Sequence, residues 1–170
     1  MILWMNIIRK YMKITLIAIG KIKEKFFRDA AGEYEKRLSR YCRLEIREVV
    51  DEKTPEKASE IQQEQILQKE GGRVLKLIPE DAFVVTLEIE GKRLSSESFA
   101  GEIEKLAVNG TSHIVFVIGG SFGLHNTVKK RADLAVSFSD MTFPHQLMRV
   151  ILLEQIYRAY RIISGEPYHK

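Results

Sequence analysis

A single cysteine, Cys42, stands in the 170-residue sequence. One cysteine can neither close an internal disulfide nor supply a cysteine-rich zinc site, so the expected compartment is a reducing cytoplasm. Cys42 itself reads as a small side chain packed near a strand start. The four histidines, His113, His125, His145 and His169, form no H-E-x-x-H and stand at no zinc spacing from the cysteine, which leaves no metal site to expect. An uninterrupted apolar run of about 18 residues, the length that spans a bilayer, is also missing. The N-terminal MILWMNIIRKYMK is apolar but broken by Asn6, Arg9 and Lys10, and no small-residue cleavage site follows, against a signal peptide. There is no G-x-G-x-x-G at the first strand–helix turn, no G-x-x-x-x-G-K-[ST] and no G-x-S-x-G. Those absences argue against a dinucleotide-binding turn, a P-loop nucleoside triphosphatase and a nucleophile-elbow hydrolase. Internal repeats, low-complexity runs and linkers are absent too.

What is present describes an ordinary globular domain. Hydrophobic residues make up 45% and charged residues 29%, and the length suffices for one domain with a real core. A net charge of +4, from 27 basic and 23 acidic residues, leans mildly towards a polyanionic partner. Met12 is read as the start of a single domain over 12–170, because the first clean strand follows it directly. Residues 1–11 are read as an N-terminal extension.

In chain order, KITLIAI (Lys13 to Ile19) reads as a buried strand closed by Gly20. From Lys23 to about Arg40, Phe26, Phe27, Ala30, Tyr34 and Leu38 recur at helical spacing. Arg43 to Val50 alternates as a half-exposed strand does. Thr54-Pro55-Glu56 is a helix start, and the Glu-, Gln- and Lys-rich helix after it is expected to face solvent until Gly71 and Gly72 stop it. Arg73 to Ile78 is compatible with a further turn or two of helix. Ala82 to Leu87 is the next buried strand, and Ser95-Ser96-Glu97 opens a helix whose apolar face is Phe99, Ile103, Leu106 and Ala107. His113 to Ile118 and Leu134 to Phe138 complete the strands. Alternation of strands and helices predicts an α/β fold, a mostly parallel sheet with helices on both faces.

Ligands of such sheets bind at the carboxyl ends of strands, which directs attention to Ile114–Tyr168. Gly119-Gly120-Ser121-Phe122-Gly123 follows a strand, either as a tight turn or as a place where a ligand meets backbone. The helix from His145 to about Ile163 has Leu147, Met148, Val150, Ile151, Leu152, Leu153, Ile156, Tyr157, Tyr160 and Ile162 around most of its circumference. Such a helix is buried on more than one side, and a second copy of the chain in a two-fold homodimer would supply the second surface. Glu154 and Arg158 stand at i, i+4, suited to pairing with each other; arginines at a dimer groove could instead meet phosphate.

SFSDMTFPHQLMRVILLEQIYRAYRIISGEPYHK, with VIGGSFG upstream and KITLIAIGKIK at the start, closely resembles the RlmH family of the SPOUT superfamily, the large-subunit (23S) ribosomal RNA pseudouridine N3-methyltransferases. The resemblance runs from Met12 to Lys170. It implies a C-terminal trefoil knot, a homodimer, S-adenosylmethionine as cofactor, and large-subunit rRNA within the ribosome as partner, with neither membrane nor metal. Carried over by position, it implies a cofactor pocket of Leu87, Gly119, Phe138, Ser139, Asp140, Met141, Thr142 and Phe143. His169, beside Tyr168, becomes the candidate proton acceptor, with Tyr168 and Arg149 at the catalytic centre. Arg149, Arg158 and Lys170 are the candidate RNA contacts.

Overall fold

The computed structural model describes residues 12–168; the 1–11 extension, His169 and Lys170 lie outside them. Five strands form one sheet: β1 (Lys13–Ile19), β2 (Arg43–Val49), β3 (Phe83–Arg93), β4 (His113–Ile118) and β5 (Leu134–Ser137). All pairs are parallel, in the order β2-β1-β4-β3-β5. The helices are α1 (Lys25–Leu38), α2 (Glu60–Leu75), α3 (Ser96–Val108), α4 (Asn126–Arg131) and α5 (His145–Ile163). This is the expected α/β fold.

The alternation of side chains along each strand divides the core into two layers. Ile14, Leu16 and Ala18 of β1, with Ile114, Phe116 and Ile118 of β4, face α1, α3 and α5. Ile17, Ile19, Val115 and Val117 face the opposite side, under Val74 of α2 and Val128 of α4. Helix α5 lies between α1 and α3, with Leu152, Leu153 and Ile156 fully buried. Much of its unusual apolar circumference is therefore covered within the chain itself. Truncating such a side chain, Leu152→Ala for example, costs about 2–5 kcal/mol through lost burial and the cavity left behind.

Several boundaries differ from the sequence reading. α2 starts at Glu60 rather than after Thr54, because Ser59 and Gln62 form a reciprocal capping box that satisfies two helix-end donors. It also runs through Gly71 and Gly72 to Leu75, since Gly71 packs against His125 at the entrance of α4 and is held there by tertiary contact. Its last turns point inward and bury Glu70, Gly71 and Val74, so only its earlier turns are a solvated face. α4 carries no periodic signal in the sequence, because six residues span less than two helical turns. β3 is longer than Ala82 to Leu87. Val136 pairs first with Leu87 and again with Lys92, so residues 88–91 bulge out between the two registers.

Candidate cofactor cleft

The carboxyl ends of β3, β4 and β5 open into one cleft of about 530 Å³, the size range of small-molecule sites. Its floor is the turn after β4, where Gly123 N–H donates to the Gly120 carbonyl at 3.0 Å. A Cβ on Gly119 would stand 2.6 Å from the carbonyl carbon and oxygen of Gly123. No side chain fits there because the turn folds tightly back on itself, and Gly119 and Gly120 line the cleft beside the turn residues Ser121 and Phe122. One wall is the β3 bulge with Leu87, Glu88 and Ile89; the other is the loop after β5, with Phe138, Ser139, Met141, Thr142 and Phe143, running into His145 and Met148 of α5. Phe138 anchors that loop edge-on against Phe99 at 6.0 Å, and Ser139 Oγ accepts from the Met141 N–H at 2.9 Å.

The lining is mainly apolar, with little charge. Glu88 is the one carboxylate among the described lining residues. The Thr86 hydroxyl donates to its Oε1 at 2.6 Å, and Lys129 Nζ lies 3.5 Å from Oε2. Burial, and then the nearby Arg149 charge, push the His145 imidazole below its usual range, so it is neutral at neutral pH. A cleft of this kind grips a ligand by shape, exposed backbone and a few polar atoms.

A family model described as "Predicted SPOUT methyltransferase" matches residues 12–169. The chain belongs to the SPOUT methyltransferase family. Among its relatives, the Ribosomal RNA large subunit methyltransferase H of Bifidobacterium adolescentis is 64% identical over 159 residues, covering 94% of this chain and 100% of the relative. The protein of the same name from Clostridium beijerinckii is 57% identical over 159 residues, with the same coverage.

Of the eight cofactor positions expected for this SPOUT methyltransferase, seven line the cleft: Leu87, Gly119, Phe138, Ser139, Met141, Thr142 and Phe143. Asp140 is exposed and pairs instead with Arg93. The other expected residues are placed elsewhere. Arg149 is 1% exposed; its Nη1 lies 2.6 Å from Glu48 Oε1 and its Nη2 donates to the Gly20 carbonyl at 2.9 Å. The guanidinium thus ties α5 to the ends of β1 and β2. Arg158 pairs with Glu154 at 2.6 Å and covers the Tyr168 ring at 4.8 Å. Tyr168 donates to Glu154 Oε1 at 3.1 Å, and burial followed by that carboxylate push its hydroxyl up to about 12. His169 and Lys170 fall outside the described residues. Glu88, Phe122, His145 and Met148 line the cleft without having been singled out as cofactor residues. Adjacency was the available signal: each lies within a few residues of an expected position.

Proposed function

We propose that this methyltransferase carries the methyl group of S-adenosylmethionine to N3 of a pseudouridine in large-subunit ribosomal RNA, on the assembled ribosome. It works as a cytoplasmic homodimer whose single domain, 12–170, is knotted at its C-terminal end and follows an 11-residue extension. The observation that carries the cofactor reading is the cleft itself, where Leu87, Gly119 and the loop residues Phe138, Ser139, Met141, Thr142 and Phe143 come together around about 530 Å³. The names of the relatives support the rRNA substrate, and the net charge of +4 suits a polyanion. The family match starting at residue 12 supports the domain boundary. Among the described residues no helix is long and apolar enough to cross a membrane, and no cluster could hold a metal ion.

When bound, S-adenosylmethionine supplies a methyl group already activated by its positive sulfur. The chain must then orient donor and acceptor and remove the N3 proton. Gly119, Leu87 and the 138–143 loop fix the donor and exclude water. His169 is the proposed proton acceptor, a role imidazole fills near neutral pH.

Geometry supports a site shared between two subunits. Tyr168 packs on Tyr157 at 5.0 Å and hydrogen-bonds Glu154, while Glu166 holds Tyr41 at 2.6 Å at the amino end of the sheet. Met148 in the cleft and Arg158 beside Tyr168 are separated by ten residues of helix, about 15 Å. The described tail up to Tyr168 thus packs on the half of α5 away from the cleft, which supports a partner's tail completing each site. Leu147 and Ile151 of α5, half-buried, one turn apart and outside the core cluster, suit a two-fold contact that would bring the partner's tail across.

The test is incubation of the purified protein with methyl-labelled S-adenosylmethionine and ribosomes from a strain lacking the modification. Label at a single pseudouridine of large-subunit rRNA is expected. No cofactor binding and no label in rRNA would leave a non-catalytic RNA-binding assembly factor of the same fold.

A further inference from the structure

Glu88 opens the β3 bulge, so its position is set by the register break between Leu87 and Lys92. Its side chain is 17% exposed, and it lines a cleft whose other described walls carry no formal charge at neutral pH. Oε1 is occupied by the Thr86 hydroxyl at 2.6 Å. Among the described residues Oε2 meets only Lys129 Nζ, at 3.5 Å, too long for a good hydrogen bond. A ligand filling the cleft strips remaining water from this oxygen, and a carboxylate so desolvated is costly unless the ligand returns a cation or a donor hydrogen.

We propose that Glu88 is a binding residue for the methyl donor, its carboxylate taking the hydrogen-bond-donating or cationic groups of that molecule. The inference rests on the S-adenosylmethionine reading, whose ligand offers four such groups: the adenine 6-amino group, the ribose diol, the α-ammonium and the sulfonium. Thr86 holds the carboxylate in place through Oε1, and Lys129 competes for Oε2. Glu88 is thereby the polar counterpart of the glycine turn.

The test is calorimetric titration of wild type and Glu88→Gln with S-adenosylmethionine, S-adenosylhomocysteine and 5′-methylthioadenosine. Loss of a charge-assisted contact predicts about tenfold weaker binding of S-adenosylmethionine by Glu88→Gln. A loss shared by all three ligands assigns the contact to the adenosine part, adenine amine or ribose diol; one shared by the first two assigns it to the ammonium; one confined to the first assigns it to the sulfonium. Glu88→Asp, which keeps the charge on a shorter arm, falls between wild type and Glu88→Gln, and thermal melting of the ligand-free variants verifies that each is folded. Removing the competing cation in Lys129→Met tightens S-adenosylmethionine severalfold. Wild type and a folded Glu88→Gln binding all three ligands within twofold of each other overturns the inference and leaves the cofactor reading intact. Wild type binding none of them overturns both.

Discussion

The two ends of the parallel sheet solve opposite problems. At the amino end, side chains seal the fold: Tyr41 stacks on Tyr160 at 5.7 Å, Tyr157 meets Tyr41 edge-on at 5.9 Å, and Arg161 pairs with Glu166 at 2.7 Å. Burial there pushes the Cys42 thiol up to about 12, leaving it protonated and unreactive. At the carboxyl end the strands run out into a glycine turn, a bulge and a loop, whose side chains line an open cleft instead of filling it. One helix, α5, serves both ends, with His145 and Met148 in the cleft and Tyr157 and Tyr160 in the aromatic seal. The contrast teaches that space for a ligand comes from side chains left unpacked at one end of a scaffold whose other end is filled.

Filling the open end should have the largest effect. In Gly119→Val even the first carbon overlaps the Gly123 backbone, so the turn must move or the cleft must close. Binding of S-adenosylmethionine should weaken by at least about 100-fold, measured by calorimetry, because backbone cannot yield as a flexible side chain does.

The tail comes next. His169→Ala should lower turnover about 100-fold or more, the usual scale for losing a general base, with donor affinity within twofold of wild type. Mixing this variant with Gly119→Val sharpens the comparison of the two ends. If each cleft uses its partner's tail, half the dimers are mixed and each has one intact site, giving about a quarter of wild-type activity. If cleft and tail belong to one chain, the mixture stays inactive.

The strands were legible because buried parallel strands are continuous β-branched runs, and KITLIAI and HIVFVI are two of them. The cleft position followed from the rule that ligands sit at strand carboxyl ends, while the residues within it came from resemblance. Arg149 was not legible. An arginine on an apolar helix reads as an exposed cation, and only the fold reveals Glu48 and the Gly20 carbonyl waiting for it across more than a hundred residues. For Glu88 adjacency to Leu87 was the one signal, and the bulge it opens was hidden, since a bulge arises from mismatched register between two strands and neither strand alone announces it.

Arg149 joins the open end to the rest of the sheet, so removing it tests whether the cleft has structural support separate from its lining. Arg149→Met takes the cation from Glu48, which keeps only the long contact from the Ile22 N–H at 3.4 Å, and removes the guanidinium donor from the Gly20 carbonyl. Glu48 is about a third exposed, at 35%, and water recovers part of the loss. The expected destabilisation is about 2–4 kcal/mol in urea unfolding, with donor affinity reduced much less than in Gly119→Val. Unchanged stability with lost rRNA methylation would instead return Arg149 to substrate binding.

The smallest effect lies at the sealed end, in Tyr168. Its hydroxyl titrates near 12 in the folded chain because burial and Glu154 disfavour the phenolate, against about 10 when unfolded. A group whose folded value is raised contributes stability fully present below its unfolded value and lost as pH climbs through the folded one. Wild type should therefore exceed Tyr168→Phe in melting temperature by a constant margin up to about pH 10, and the margin should shrink between about pH 10 and 12. The hydrogen bond itself is worth about 1 kcal/mol, so the margin is a few degrees at most in a domain of this size. A margin that stays constant across that range would show that the phenol is already free of Glu154 in solution, and that the tail leaves its own subunit even without RNA.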